Sequence, residues 1–277
     1  MDDEGRRAEL ADFLRTRRAR LAPSQVGLSA GGRRRTSGLR HEEVAELAGV
    51  SITWYTWLEQ GRPVAASAHT LEDIARALRL DPAERAHLFV LARPASAPPA
   101  AADAERAGPA QQRVLDALGA TPAYIMGRRW DIRAWNRAMC AAFVDVDALP
   151  ERERNMLRLV FTNPTMRARL VDWEGVAQRE LALFRAESGR YAGDPWFEDL
   201  VDELRRVSPE FAHWWPRHDV RGRADQRMDV AHPDAGRLAL EATAFGVRSV
   251  STLTLVAHAA LPEAETEHKL SRLTRCR

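Results

Sequence analysis

Residues 39–61, LRHEEVAELAGVSITWYTWLEQG, constrain the fold of this chain more than any other stretch. Their spacing predicts a short helix, a sharp turn at Gly49 and a second helix opening at Ser51. Val44, Ala45, Leu47 and Ala48 give the first helix an apolar face, and Val50, Tyr55 and Leu58 do the same for the second. A glycine suits a tight helix-to-helix turn because it carries no Cβ. The Ser51 hydroxyl can accept a hydrogen bond from an orphan N–H of the helix it opens. A pair of this kind holds its second helix clear of the domain body, where it can enter a major groove.

Gly49, the adjacent Val50, the capping Ser51 and the closing Leu58-Glu59-Gln60-Gly61 together resemble the XRE class of helix-turn-helix repressors. A helix over residues 6–21, with Leu10, Phe13, Leu14 and Leu21 apolar, precedes the pair. Thr70-x-x-Asp73 reads as a capping box opening a helix through Leu80, and Asp81-Pro82-Ala83-Glu84 opens another. Five helices over residues 1–93 make a lambda-repressor-like DNA-binding domain. Residues 23–38, rich in Pro, Gly and Ser, form a loop.

Net charge over the 277 residues is only +2, and its placement says more than its size. Residues 15–40 hold eight arginines and no acid, directly before the helix pair, as a phosphate-seeking surface needs. No run of 18 apolar residues occurs, and MDDEGRRAEL lacks the apolar core of a secretory signal. Cys140 and Cys276 match no metal-ligand spacing, which fits a reducing cytoplasm, no metal and no cofactor.

Residues 94–109, PASAPPAAADAERAGP, read as a linker. A second domain over residues 110–262 begins with a helix at 111–118, a strand at 123–126 and a strand at 130–135. Asn136 then opens a helix through Phe143. Helix starts follow at Asn163-Pro164, Asp194-Pro195 and Ser208-Pro209, with a long helix over 173–187. Three further strands are expected at about 226–231, 236–243 and 248–258, and a polar, frayed tail over 263–277. Two strands before a helical insert and three after give a PAS-like five-stranded sensor. The fold class is therefore mainly α with an α+β second domain.

The segments GGRRRTSGLRHEEVAELAGVSITWYTWLEQGR, TPAYIMGRRWDIRAWN, VFTNP, SPEFAHWWPRHDVRGR and HPDAGRLALEA resemble the MmyB-type family of actinobacterial XRE regulators, from residue 10 to about 260. The resemblance implies a C-terminal PAS-like ligand-binding domain and a fatty-acid-like ligand. The chain departs from the family pattern at His41, where arginine is usual, and more loosely over its last strands.

With Tyr55 and Leu58 inward, a step of about 100° per residue turns Ile52, Thr53, Thr56 and Trp57 outward as base readers. No outward Arg, Asn or Gln stands in the first turns, so direct readout is modest and DNA shape contributes. Arg33, Arg34, Arg35, Arg40, His41, Ser51, Trp54 and Arg62 are the phosphate candidates. In the second domain Tyr124, Met126, Trp130, Met139, Phe143, Phe161, Trp173, Phe184 and Trp215 could line an apolar pocket, or simply form core. Asn136 and His218, with Arg129, are candidate polar anchors. No hydrolase, zinc-protease, P-loop or dinucleotide motif occurs, so catalysis is not expected. The expected protein is a cytoplasmic homodimer that binds a double-stranded operator and a small apolar ligand, without a membrane partner. The alternative is a DNA-binding interaction module, antitoxin-like or polymerase-recruiting, with no small-molecule ligand.

Overall fold

The computed structural model describes residues 3–28, 38–92, 105–188, 195–220, 226–248 and 252–275. Arg33, Arg34, Arg35, Asp194, Cys276, most of the expected linker and residues 249–251 lie outside them. Among the described residues no helix is long and apolar enough to cross a membrane. The chain forms two compact units. One comprises Met1–Pro98, Ala182–Glu203 and His213–Gly222; the other comprises Pro99–Leu181, Leu204–Ala212 and Arg223–Arg277.

The first unit is built on α1 (Asp3–Arg20), α2 (His41–Leu47), α3 (Ile52–Glu59), α4 (Ala68–Ala77) and α5 (Pro82–Ala92). Phe13, Leu14, Leu39, Val44, Tyr55, Ile74, Leu78, Leu88 and Leu91 are sealed in one core. Leu47, expected inside, is 36% exposed. It is the last residue of α2, one step round from the inward Val44 and Ala48. Gly49 takes φ +65°, so α2 ends in a left-handed turn, and Ser51 Oγ accepts the Trp54 N–H at 3.2 Å to start α3. The cap of α4 is Ser67, not Thr70: Ser67 Oγ accepts the Thr70 N–H at 3.0 Å, so the helix opens earlier than expected. At α5, Asp81 Oδ1 accepts the Glu84 N–H at 2.8 Å and Glu84 Oε2 accepts the Asp81 N–H at 3.0 Å, a reciprocal capping box.

The second unit centres on an antiparallel sheet in the order β2-β1-β5-β4-β3, with β1 (Ala123–Met126), β2 (Ile132–Trp135), β3 (Gln226–His232), β4 (Gly236–Gly246) and β5 (Thr254–Ala260). This is the five-stranded sensor arrangement, with two strands before the insert and three after. Its helices are α6 (Pro109–Ala117), α7 (Arg137–Ala142), α8 (Met156–Thr162) and α9 (Pro164–Arg169). Of α10 (Trp173–Ser188), α11 (Pro195–Val207) and α12 (Pro209–Trp214), each contributes residues to both units. β2 starts later than expected because Trp130 adopts φ +63°, a left-handed residue that closes a turn back to the Gly127 carbonyl. The tail is not frayed: α13 (Thr266–Arg275) is helical, burying Thr266 and Leu270 one turn apart, and Thr266 Oγ1 accepts the β4 Ala239 N–H at 2.9 Å.

Candidate functional site

Helix α3 is tied down from its inner side. The Glu59 carboxylate is 3% exposed and receives the Arg18 guanidinium at 2.7 and 2.9 Å. It also accepts the Tyr55 hydroxyl at 2.7 Å and lies 2.9 Å from His41 Nε2. Burial alone would push the Glu59 carboxyl up, but hydrogen bonds from Arg18 and Tyr55 outweigh it and hold the group below its ordinary range. The same burial, with the adjacent Glu59 charge, pushes the Tyr55 hydroxyl far up, so it stays a donor. Three elements, α1, α2 and α3, thus meet on one carboxylate.

The opposite side of α3 is bare. Ile52 is 53% exposed and Trp57 41%. Thr53 is exposed beside them and Thr56 is half-buried. The Arg62 guanidinium stands 5.7 Å from the Trp57 ring, joining a cation to an aromatic face. Arg40 is exposed at the start of α2, and Ser51 is exposed at the start of α3 with its hydroxyl oxygen engaged as the cap. Trp54 is half-buried against the core.

In the second unit, strand register divides the central sheet into two faces. Tyr124 pairs with Val256 and Ile125 with Leu255. Ala123, Ile125 and Ala134 therefore pack with Leu115 of α6, while Tyr124, Met126, Val256 and His258 point to the other side. There the His258 ring lies 4.9 Å from Phe143 and 6.0 Å from Tyr124.

A family model described as the MmyB-like transcription regulator ligand binding domain matches residues 107–273, and a helix-turn-helix domain model matches residues 9–88. The chain belongs to the MmyB-like transcription regulators. No curated protein sequence is significantly similar to it.

Within this MmyB-like chain the expected ligand residues separate into four places. Tyr124, Met126 and Phe143 belong with the sheet face just described, and Met139 is buried on α7. Phe161 packs edge-on against Trp173 at 6.3 Å and Phe211 at 5.1 Å, with the Trp173 Nε1–H donated to the Val160 carbonyl at 2.8 Å. Trp130 is buried in the turn before β2. Phe184, Trp215 and His218 lie in the first unit. Phe184 there contacts Phe197 at 5.5 Å.

Asn136 is spent on structure. Its Oδ1 accepts the Ala123 and Met139 N–H groups, each at 3.0 Å, and its Nδ2 donates to the Leu115 and Thr121 carbonyls at 3.1 and 2.8 Å. The Arg129 carbonyl accepts from the Asn155 amide at 2.8 Å, another cap-bearing side chain that sequence reading passed over.

His218 joins an ionic cluster that sequence spacing gave no sign of. Its Nδ1 lies 2.8 Å from the Arg185 guanidinium and 3.4 Å from Glu9, and Arg185 reaches Glu9 at 2.7 Å. Arg17 donates to the His218 carbonyl and faces Glu84 at 3.3 Å. Burial raises the Glu9 carboxyl, yet the His218 hydrogen bond and the Arg185 charge bring it down to about 2. Burial likewise lowers the His87 imidazole to about 4; that ring meets Phe13 edge-on at 5.1 Å.

Cys140, Asp145 and Asp147 place their ligand atoms within 4.8 Å of one another, in a cleft of about 510 Å³ that Arg133 and Arg137 also line. Burial pushes the Cys140 thiol up, away from the thiolate a metal needs.

Proposed function

We propose that this regulator binds a two-fold DNA operator as a homodimer through α3, and that its sheet-bearing unit takes up a small apolar ligand of the fatty-acid-like kind. The observation that carries the DNA half is the contrast across α3: Glu59 and Tyr55 fixed within, Ile52, Thr53 and Trp57 bare without. Thr53 and Thr56 offer hydroxyls to base edges and methyls to thymine, while Ile52 and Trp57 add apolar contact. Arg40, Arg62, Ser51 and His41 serve the backbone. A dimer would set two such helices one DNA turn apart, about 34 Å. The sign of regulation follows from which dimer arrangement the ligand prefers, because a ligand with equal affinity for both shifts nothing.

The ligand half is supported by the family match over residues 107–273 and by the apolar, aromatic sheet face around Tyr124, Met126 and Phe143. Native mass spectrometry of the full chain, before and after incubation with a long-chain fatty acid, tests it. A mass increment of one acyl species per chain is expected. A protein that emerges empty and gains no mass on incubation would overturn the ligand half and leave the DNA half to be judged by itself.

A further inference from the structure

His258 is 5% exposed, and its Nδ1 has no hydrogen-bond partner among the described residues. Its neighbours are the rings of Phe143 and Tyr124, at 4.9 and 6.0 Å. Its backbone N–H is already donated to the Pro122 carbonyl at 2.8 Å, so β5 is fixed and the ring's place with it. A buried polar group without a partner costs about 1–3 kcal/mol, and folded chains rarely leave one without a reason. His232, buried in the same unit, shows the usual solution: Nε2 meets the Ala141 carbonyl at 3.0 Å and Nδ1 accepts two N–H groups at 3.1 and 3.2 Å.

We propose that His258 is the hydrogen-bonding anchor of the ligand site, and that it takes a single uncharged oxygen-bearing head on an otherwise apolar molecule. The proposal rests on the ligand reading above. Burial lowers the His258 imidazole to about 4, so near neutral pH it is uncharged, with one N–H donor and one lone pair. A hydroxyl, which both donates and accepts, complements Nδ1 in either tautomer; an ester, an amide or a protonated carboxylic acid supplies the acceptor. An ionised head would be stripped of water beside two aromatic rings, a cost that a neutral imidazole does not repay, so a fatty acid is taken up there in its protonated form. Sheet register brings the Tyr124 ring and the apolar Met126 and Val256 to the same side, and the chain of the ligand lies along them.

The test uses the full chain and decanol as the probe, with binding followed by tryptophan fluorescence and by the ¹⁵N shifts of the histidine rings. Wild-type protein should bind decanol saturably and move the His258 ring signal. H258L should weaken binding about tenfold, the loss of one hydrogen bond, and H258Q, which keeps a donor and an acceptor, should lose less. H258L should also unfold at no lower denaturant concentration than wild type without probe, because it removes an unpartnered polar group. Equal affinity of wild type and H258L, with an unmoved ring signal, would overturn the anchor alone. Failure of wild type to bind decanol, while it still gains a fatty acid by native mass spectrometry, would overturn the anchor; failure with both would overturn the apolar-ligand reading as well.

Discussion

Glu59 sits on the inner side of α3, and its carboxylate answers Arg18, Tyr55 and His41 together. Replacing Glu59 with Gln leaves the Arg18 charge without its partner, and removal of one member of a buried pair costs about 3–5 kcal/mol. The expected loss for E59Q is at the lower end, about 3 kcal/mol, because Gln still accepts one hydrogen bond; urea unfolding of the full chain checks it, and a loss below about 1 kcal/mol would contradict the network's role. Acid should weaken the first unit in two stages. His87 has a folded value of about 4 against an ordinary 6.5, so its contribution is complete above 6.5 and is lost as pH falls toward 4. Glu9, at about 2 against an ordinary 4.5, contributes fully above 4.5 and is lost as pH falls toward 2. H87L should flatten the upper stage of the urea midpoint against pH and leave the lower stage in place. An unchanged upper stage would reassign it to another group. The partners of Glu9 were not legible in the sequence, since Glu9, Arg185 and His218 meet only across long separations, whereas Tyr55 and Glu59 stand one helical turn apart.

Capping chemistry made most helices readable, because a cap is a local event. Ser51, Asp81-Pro82, Asn163-Pro164 and Ser208-Pro209 all stand at helix starts. The misreadings have local causes too. Thr70-x-x-Asp73 imitates a box that Ser67 fills, and Trp130 breaks its strand through a left-handed backbone that alternation does not reveal. The polar composition of residues 263–277 hid α13, whose buried side is only Thr266 and Leu270. Glycines separate two kinds of constraint. A Cβ on Gly49 would meet nothing within 4 Å, so G49A should cost only the left-handed backbone, about 1 kcal/mol. A Cβ on Gly38 would fall 2.5 Å from the backbone of Ala19, which no rotamer change relieves. G38A should therefore lower stability by more than G49A, by about 2–3 kcal/mol or more. The reverse order in thermal unfolding would contradict the close approach of Gly38 to α1. N136A, which removes three buried hydrogen bonds and one part-buried, should destabilise the second unit by about 2–4 kcal/mol whether or not ligand is present. A loss seen only with ligand bound would restore Asn136 as an anchor.

For the whole molecule, the order of segments along the chain was legible and the composition of its units was not. Hydrophobic period located the helix pair and four of the strands, and set the fifth, Thr254–Ala260, too early at 248–258; nothing in it assigns Phe184, Trp215 and His218 to the first unit while Tyr124 and Phe143 stay with the sheet. His258 escaped for the same reason: no sequence pattern singles it out, and only the pairing of β1 with β5 shows what it faces. Charge acts at this scale as well. R40A/R62A should reduce the slope of log K against log salt by about 2, near 0.9 per phosphate contact, and an unchanged slope would remove both residues from the interface. The most direct trial of the account is a fluorescence-anisotropy comparison of T53A/W57A with wild type, on a duplex selected from a random pool by the wild-type chain and on an unrelated duplex. Loss of the base readers should weaken binding to the selected duplex at least tenfold more than binding to the unrelated one. An equal loss on both duplexes would mean that the exposed face of α3 does not read the operator.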